Sequence, residues 1–350
     1  MIYLQEFLGV VSTATLDNDS PSIVLGLFVF LGVIYMTDKT FKTYVEQRAL
    51  LIERGMLVEH PRSFTTAMQY DDYYNIINGY KKYFIATMSP ETYFHGTTFE
   101  QVYALYNFDQ RLRDLFLAAL LRVEKNIKSI IAYNFSETYG HDHRLYLTSS
   151  SFRCDTPPNA SAAQTIIGNV YKDIQHYSKQ GHTAICHYLH KYKYIPFWVL
   201  SNILSFGRIS HFFCALKLAD QQKIALHFHL SAADMRGFLY FLNDFRNTCA
   251  HGDRIYTTNR HKRFLKFIPD TQIHKDLDIP LNQSNNYLYG KSDVLAMLIA
   301  LKIFLPKSEF STLKKRIYRL EKKTLNIIPD TIRENIDKEM GYIHANLNKL

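Results

Sequence analysis

Residues 111–134 read RLRDLFLAALLRVEKNIKSIIAYN. The apolar residues Leu112, Leu115, Phe116, Ala119, Val123, Ile127 and Ile130 recur there at steps of three and four. Each residue of an α-helix turns about 100° around the axis, so this spacing gathers them on one face. It predicts a long amphipathic helix, opened by Asp109 as N-cap and closed near Gly140. A second stripe, Phe238, Phe241, Leu242, Phe245 and Cys249, predicts a helix over 234–250, with Gly252 where helices commonly end. Residues 293–304 and 309–325 carry the same period, whereas period-two alternation is scarce. The expected fold class is all-α: a helical bundle with a small N-terminal helical region and extra C-terminal helices. Residues 144–163, with Ser149-Ser150-Ser151 and Pro157-Pro158, read as a loop, as do residues 270–290 around Pro280, Asn285 and Asn286.

The chain has 350 residues, 47% of them apolar and 21% charged, which suffices for a sizeable core in one large domain or two modest ones. Its net charge of +9 favours an anionic partner, nucleic acid first. The four cysteines, Cys154, Cys186, Cys214 and Cys249, form no C-x-x-C pair and no zinc-finger spacing, so free thiols in a reducing cytoplasm are expected. Cys249 reads as a small buried residue of its helix. No metal and no cofactor are expected.

Residues 22–36 (SIVLGLFVFLGVIYM) form an uncharged apolar run of 15 residues, shorter than the ~20 a helix needs to cross a bilayer. Glu6, Asp17 and Asp19 precede it and no basic segment does, so it does not read as a signal peptide. Two expectations stand side by side: a start at Met36 with an upstream extension, or a short membrane anchor or added core helix. The expected organisation is an apolar extension over 1–36, a helical region over 37–100, and a helical domain over 101–350.

The chemistry concentrates at Arg246-Asn247-Thr248-Cys249-Ala250-His251. An imidazole moves protons near neutral pH, and a guanidinium grips a phosphate with two parallel hydrogen bonds. Alone, R-x4-H is a weak signal. The blocks around it make it specific: QRALLIERG at 47–55, YYNIINGY at 73–80, Phe108-Asp109-Gln110-Arg111-Leu112-Arg113 followed by Glu124, Ile195-Pro196-Phe197-Trp198, Leu204-Ser205-Phe206-Gly207, and the motif itself within 242–256. Together they resemble the Abi-like abortive-infection proteins of bacteria, AbiD/AbiF type, a branch of the HEPN ribonuclease superfamily. Asn202 departs from that pattern, standing where the family usually has a glutamate, and so does Gly252 after the motif histidine.

The resemblance implies a phage-defence endoribonuclease that needs no metal, with Arg246, Asn247 and His251 as catalytic residues and Glu124 and Asp253 in support. On a straight helix, Arg246 and His251 lie about 100° and 120° to opposite sides of Phe245, so they flank the apolar stripe. Either the helix loosens before Gly252 and swings His251 inward, or two copies of the motif meet in a homodimer. The resemblance implies the second. The expected partners are RNA as substrate, a regulatory small RNA, and a second copy of the chain; only 22–36 reaches toward a membrane. Arg254, Arg260, Lys262, Arg263 and Lys266, with Tyr256 and Phe264 between them, suit an RNA track with base stacking, the alternative being a solvated loop. The six basic residues between Lys314 and Lys323 read as a solvated helix face. Trp198 reads as a core anchor. Alternative functions are a non-catalytic RNA-binding or regulatory protein, suggested by Asn202, and a membrane-associated infection sensor.

Overall fold

Thr98, not Asp109, starts the long helix. The Thr98 hydroxyl accepts from the Gln101 amide at 3.2 Å, and the Gln101 side chain accepts from the Thr98 amide at 3.2 Å. This reciprocal cap lies upstream of the expected start because the apolar stripe also continues upstream, through Phe99, Val102 and Leu105. The helix runs Phe99–Tyr139, 41 residues, about 60 Å at 1.5 Å per residue. It closes at Gly140, as expected. Leu105, Phe108, Leu112, Phe116, Leu120, Val123, Ile127 and Ile131 are fully buried along it. Asp109 therefore sits in mid-helix, fully buried, with duties described below.

The computed structural model describes residues 40–256 and 267–350. The chain forms two units, residues 1–47 and 48–350. In the first, residues 40–47 enter a helix whose start is held by Thr43 and Glu46: the Thr43 amide donates to the Glu46 carboxylate at 2.7 Å, and the Glu46 amide to Thr43 Oγ1 at 3.3 Å. The apolar run 22–36 lies outside the described residues, and with it both N-terminal expectations. Among the described residues no helix is long and apolar enough to cross a membrane.

The second unit is mainly helical, as the periodicity predicts. Around the long helix pack the motif helix Ala232–Ala250, the apolar helix Val294–Phe304 and the basic helix Lys307–Thr324. Every residue from Val294 to Leu301 is fully buried, so that helix is enclosed on all sides. Its N-cap is Asp293, whose carboxylate accepts from the Ala296 amide at 2.9 Å and the Gly290 amide at 2.7 Å. At the other end of the long helix the core is aromatic. Phe197 and Phe212 stack at 4.4 Å, Phe135 lies 4.9 Å and 5.0 Å from those two rings, and the buried Tyr146 hydroxyl donates to the Ile195 carbonyl at 2.7 Å.

Both segments read as loop contain helix: Gln272–Asp276 forms a short one within 270–290. Pro157-Pro158 opens a helix, Pro157–Lys179, within the other. Thr156 caps it, and proline suits the first turn because its missing N–H would have no intrahelical partner there. The N-terminal region also contains a hairpin, Ile85–Met88 with Glu91–Tyr93. It is too short, and too irregular at Ile85 to Thr87, to show alternation.

Candidate functional site at the end of the motif helix

Ser231 caps the motif helix by accepting from the Asp234 amide at 3.1 Å. Its stripe, Phe238, Phe241, Leu242, Phe245 and Cys249, is buried as predicted. Phe245 meets Phe116 of the long helix edge-on at 6.0 Å. Across the other flank, Gly207 leaves room for Asn243: a Cβ at Gly207 would stand 3.3 Å from Asn243 Oδ1. The Leu204–Gly207 block thus lets the helix Phe206–Ala215 lie close against the motif helix.

The helix does not loosen early. It keeps its geometry to Ala250 and stops at His251 in a tight C-terminal turn. The Gly252 amide donates to the Cys249 carbonyl at 3.3 Å and the Asp253 amide to the Thr248 carbonyl at 3.1 Å, with Gly252 at φ +74°. A side chain at that φ would be strained, which is why glycine follows the motif histidine. His251 is exposed, and among the described residues no hydrogen bond reaches its imidazole. Arg246 is half-buried and does not meet His251. Its Nη1 donates to Asn247 Oδ1 at 3.4 Å, and its Nε lies 3.9 Å from Glu124 Oε2.

Glu124 is buried on the long helix, two turns beyond Phe116, and its other oxygen receives Lys128 Nζ at 2.8 Å. Glu124 therefore faces Arg246 and not Arg113. Arg113 is held by Asp109 at 2.5 Å. Lys128 was not anticipated as part of this cluster, although its place four residues after Glu124 on a helix signals such a pair.

Asp109 fastens the chain that leaves the motif. Its carboxylate accepts from the Tyr80 hydroxyl at 2.7 Å, from Arg113, and from the Ile255 amide at 3.1 Å. Arg113 also donates to the Asp253 carbonyl at 3.3 Å. Burial and the adjacent Asp109 charge hold the Tyr80 hydroxyl protonated far above its usual range. Thus 73–80 and 108–113, two separated sequence blocks, converge on residues 253–255.

The Arg254 guanidinium, expected on the RNA track, turns instead to the Gly79 carbonyl and lies over the Tyr80 ring at 5.9 Å. Tyr256, expected to stack on bases, is fully buried between Tyr80 and Tyr83 at 5.5 Å and 5.8 Å. Its ring is therefore closed to ligands. Arg260, Lys262, Arg263, Lys266 and Phe264 lie outside the described residues.

Beside Glu124 a groove of about 790 Å³ opens along the long helix from Leu121 to Glu137, walled on the far side by Trp198, Ser201 and Asn202. Trp198 is 49% exposed, so it is a groove wall and not the expected core anchor. Its short helix, Phe197–Leu200, buries Phe197 and Leu200 instead and packs Val199 partly against the core, which leaves Trp198 facing outward. Asn202 Nδ2 donates to the Trp198 carbonyl at 2.8 Å. Among the described residues no group of three or more His, Cys, Asp or Glu is placed to hold a metal ion.

Residues 67–257 match the model of a family described as Abi-like protein. No curated protein and no solved structure matches the chain. The matched span covers more than half of the sequence and contains the Asp109 clamp, Glu124, the Trp198 wall and the whole motif. The chain belongs to the Abi-like family, the proteins of abortive infection, by which bacteria resist phage.

Proposed function

We propose that this protein is a HEPN-type endoribonuclease of AbiD/AbiF kind, which acts on RNA without a metal and halts growth on infection. The observation that supports the reading most is the Arg246–Glu124 contact of 3.9 Å at the end of the helix that carries an exposed His251, whose imidazole has no hydrogen bond among the described residues. A buried carboxylate restrains the guanidinium, while the imidazole stays open to substrate. In the reaction, His251 takes the proton from a ribose 2′-OH or delivers one to the departing 5′-oxygen. Arg246 stabilises the added negative charge on the phosphorane, with Asn247 holding one of its nitrogens. The 2′-oxygen attacks phosphorus and the bond to the 5′-oxygen breaks, leaving a 2′,3′-cyclic phosphate and a 5′-hydroxyl. Because Arg246 and His251 point apart on one helix, the site is composite, completed by the motif helix of a second copy across a two-fold axis.

The test compares the wild type with Arg246→Ala and His251→Ala for growth arrest and for RNA cleavage, with sequencing of the cleaved ends. Loss of both activities in both variants is expected, and equal behaviour of all three proteins overturns the reading. The non-catalytic alternative rests on Asn202, which lines the same groove as Glu124. It predicts that equality.

A further inference from the structure

The groove beside Glu124 contains an arrangement that the catalytic chemistry does not use. We infer that it is a base-binding subsite for single-stranded RNA, with Trp198 and Tyr133 as stacking platforms. The inference deepens the ribonuclease reading by saying where substrate lies next to the motif. Four features of the groove carry it.

First, both rings are offered to solvent and share one groove. Trp198 is 49% exposed and Tyr133 67% exposed, on the two walls of one groove. Stacking on such rings is the usual means of holding unpaired bases, because every base has a π-face. Second, the charge fits. Lys125 and Lys128 line the groove, and its two carboxylates are already engaged: Glu137 by Lys223 at 2.6 Å, Glu124 by Lys128 at 2.8 Å and by Arg246. With those carboxylates engaged, the exposed Lys125 stands at the groove, which suits a phosphodiester.

Third, a polar acceptor waits in the floor. Glu124 is 8% exposed and lines the groove, and its Oε2 has no hydrogen-bond partner among the described residues. A base amine or a ribose hydroxyl supplies the missing donor. Fourth, the groove has the volume of a ligand site and is concave. A two-fold contact needs a surface that fits its own copy, and a concavity alone does not.

Trp198 is the single tryptophan of the chain, so intrinsic emission reports on the groove directly. The probe is a ten-nucleotide 2′-O-methyl oligoadenylate, which lacks the attacking hydroxyl and stays intact. Saturable change of Trp198 emission on adding it to the full chain is expected. Tyr133→Ala and Lys125→Ala, checked for unchanged far-UV circular dichroism, weaken binding by about 5- to 100-fold for the stacking ring and by a smaller, salt-sensitive factor for the lysine. Trp198→Ala, followed by anisotropy of a labelled probe, loses affinity by a similar factor to Tyr133→Ala. The probe cannot be cleaved, which keeps this result separate from any failure of cleavage. Three results overturn the subsite: a probe that binds without altering Trp198 emission, wild-type affinity in Tyr133→Ala and Trp198→Ala, or emission that follows protein concentration alone. The last would place a second copy of the chain in the groove.

Discussion

Glu124 Oε2 stands 3.9 Å from Arg246 Nε, and neither atom has a hydrogen-bond partner among the described residues. Both are buried. The pair is close enough for electrostatic attraction and too far apart for a hydrogen bond. In the proposed ribonuclease, Glu124 is a positioning residue for Arg246.

The first prediction follows from that contact. Glu124→Ala removes the carboxylate that faces Arg246, and leaving a half-buried charged group without its partner costs about 1–3 kcal/mol. Single-turnover RNA cleavage is expected to fall about 10- to 100-fold, with far-UV circular dichroism unchanged. Glu124→Gln keeps an acceptor and recovers part of the rate. A wild-type rate in Glu124→Ala would remove Glu124 from the mechanism.

A composite site makes a second prediction. Arg246→Ala and His251→Ala are each inactive alone, but mixed and re-equilibrated they form dimers with one intact Arg–His pair. Half of random dimers are mixed and each keeps one site of two, so about a quarter of wild-type cleavage returns. No cleavage at any mixing ratio would assign both residues to one chain.

Chelation and substrate chemistry give a third. The nucleophile is the substrate's own 2′-oxygen, so cleavage of RNA in excess EDTA should match that in Mg2+, and the same sequence as DNA should stay whole. A strict need for Mg2+ refutes the proposed chemistry.

Asp109 supports a fourth. It is fully buried and joins Tyr80, Arg113 and the Ile255 amide. Asp109→Ala leaves Arg113 without its partner, which costs about 3–5 kcal/mol in a buried pair and lowers Tm on the order of 10 °C. Because Ile255 loses its anchor, limited proteolysis should quicken after the motif, between residues 253 and 256. An unchanged Tm would mean that the clamp is dispensable.

The fifth concerns pH. Burial raises the Asp293 carboxyl from its ordinary 3.8 to about 6, against the lowering effect of the amides it caps. The folded state then holds its proton more tightly than the unfolded state. Between pH 4 and 6 this group's contribution falls as pH rises, and the charged form costs roughly 3 kcal/mol above that window. Asp293→Asn does not titrate. The difference in Tm between wild type and Asp293→Asn should therefore shift toward the wild type as pH drops from 7 to 4. A constant difference would show that Asp293 is ionised at both ends.

The chain by itself determined the helices that bury a regular stripe, because burial at a period of 3.6 leaves a direct record in composition. The long helix, the motif helix and its stop at Gly252 were legible for that reason. Arg246, His251 and the family blocks were legible as a motif. Partnership was not. Asp109 looks like an N-cap until the stripe is seen to continue past it. Trp198 looks like core until Phe197 and Leu200 take the inward positions of its single turn. Arg254 and Tyr256 look like an RNA track until Tyr80 and Tyr83 enclose them. For Arg254 and Tyr256 the deciding neighbours lie about 175 residues away, and for Trp198 the decision is which side of one helical turn faces the core; local spacing carries no information about either. Tertiary structure alone brought Glu124 from the long helix to Arg246, because packing of Phe116 against Phe245 fixes how the two helices face each other.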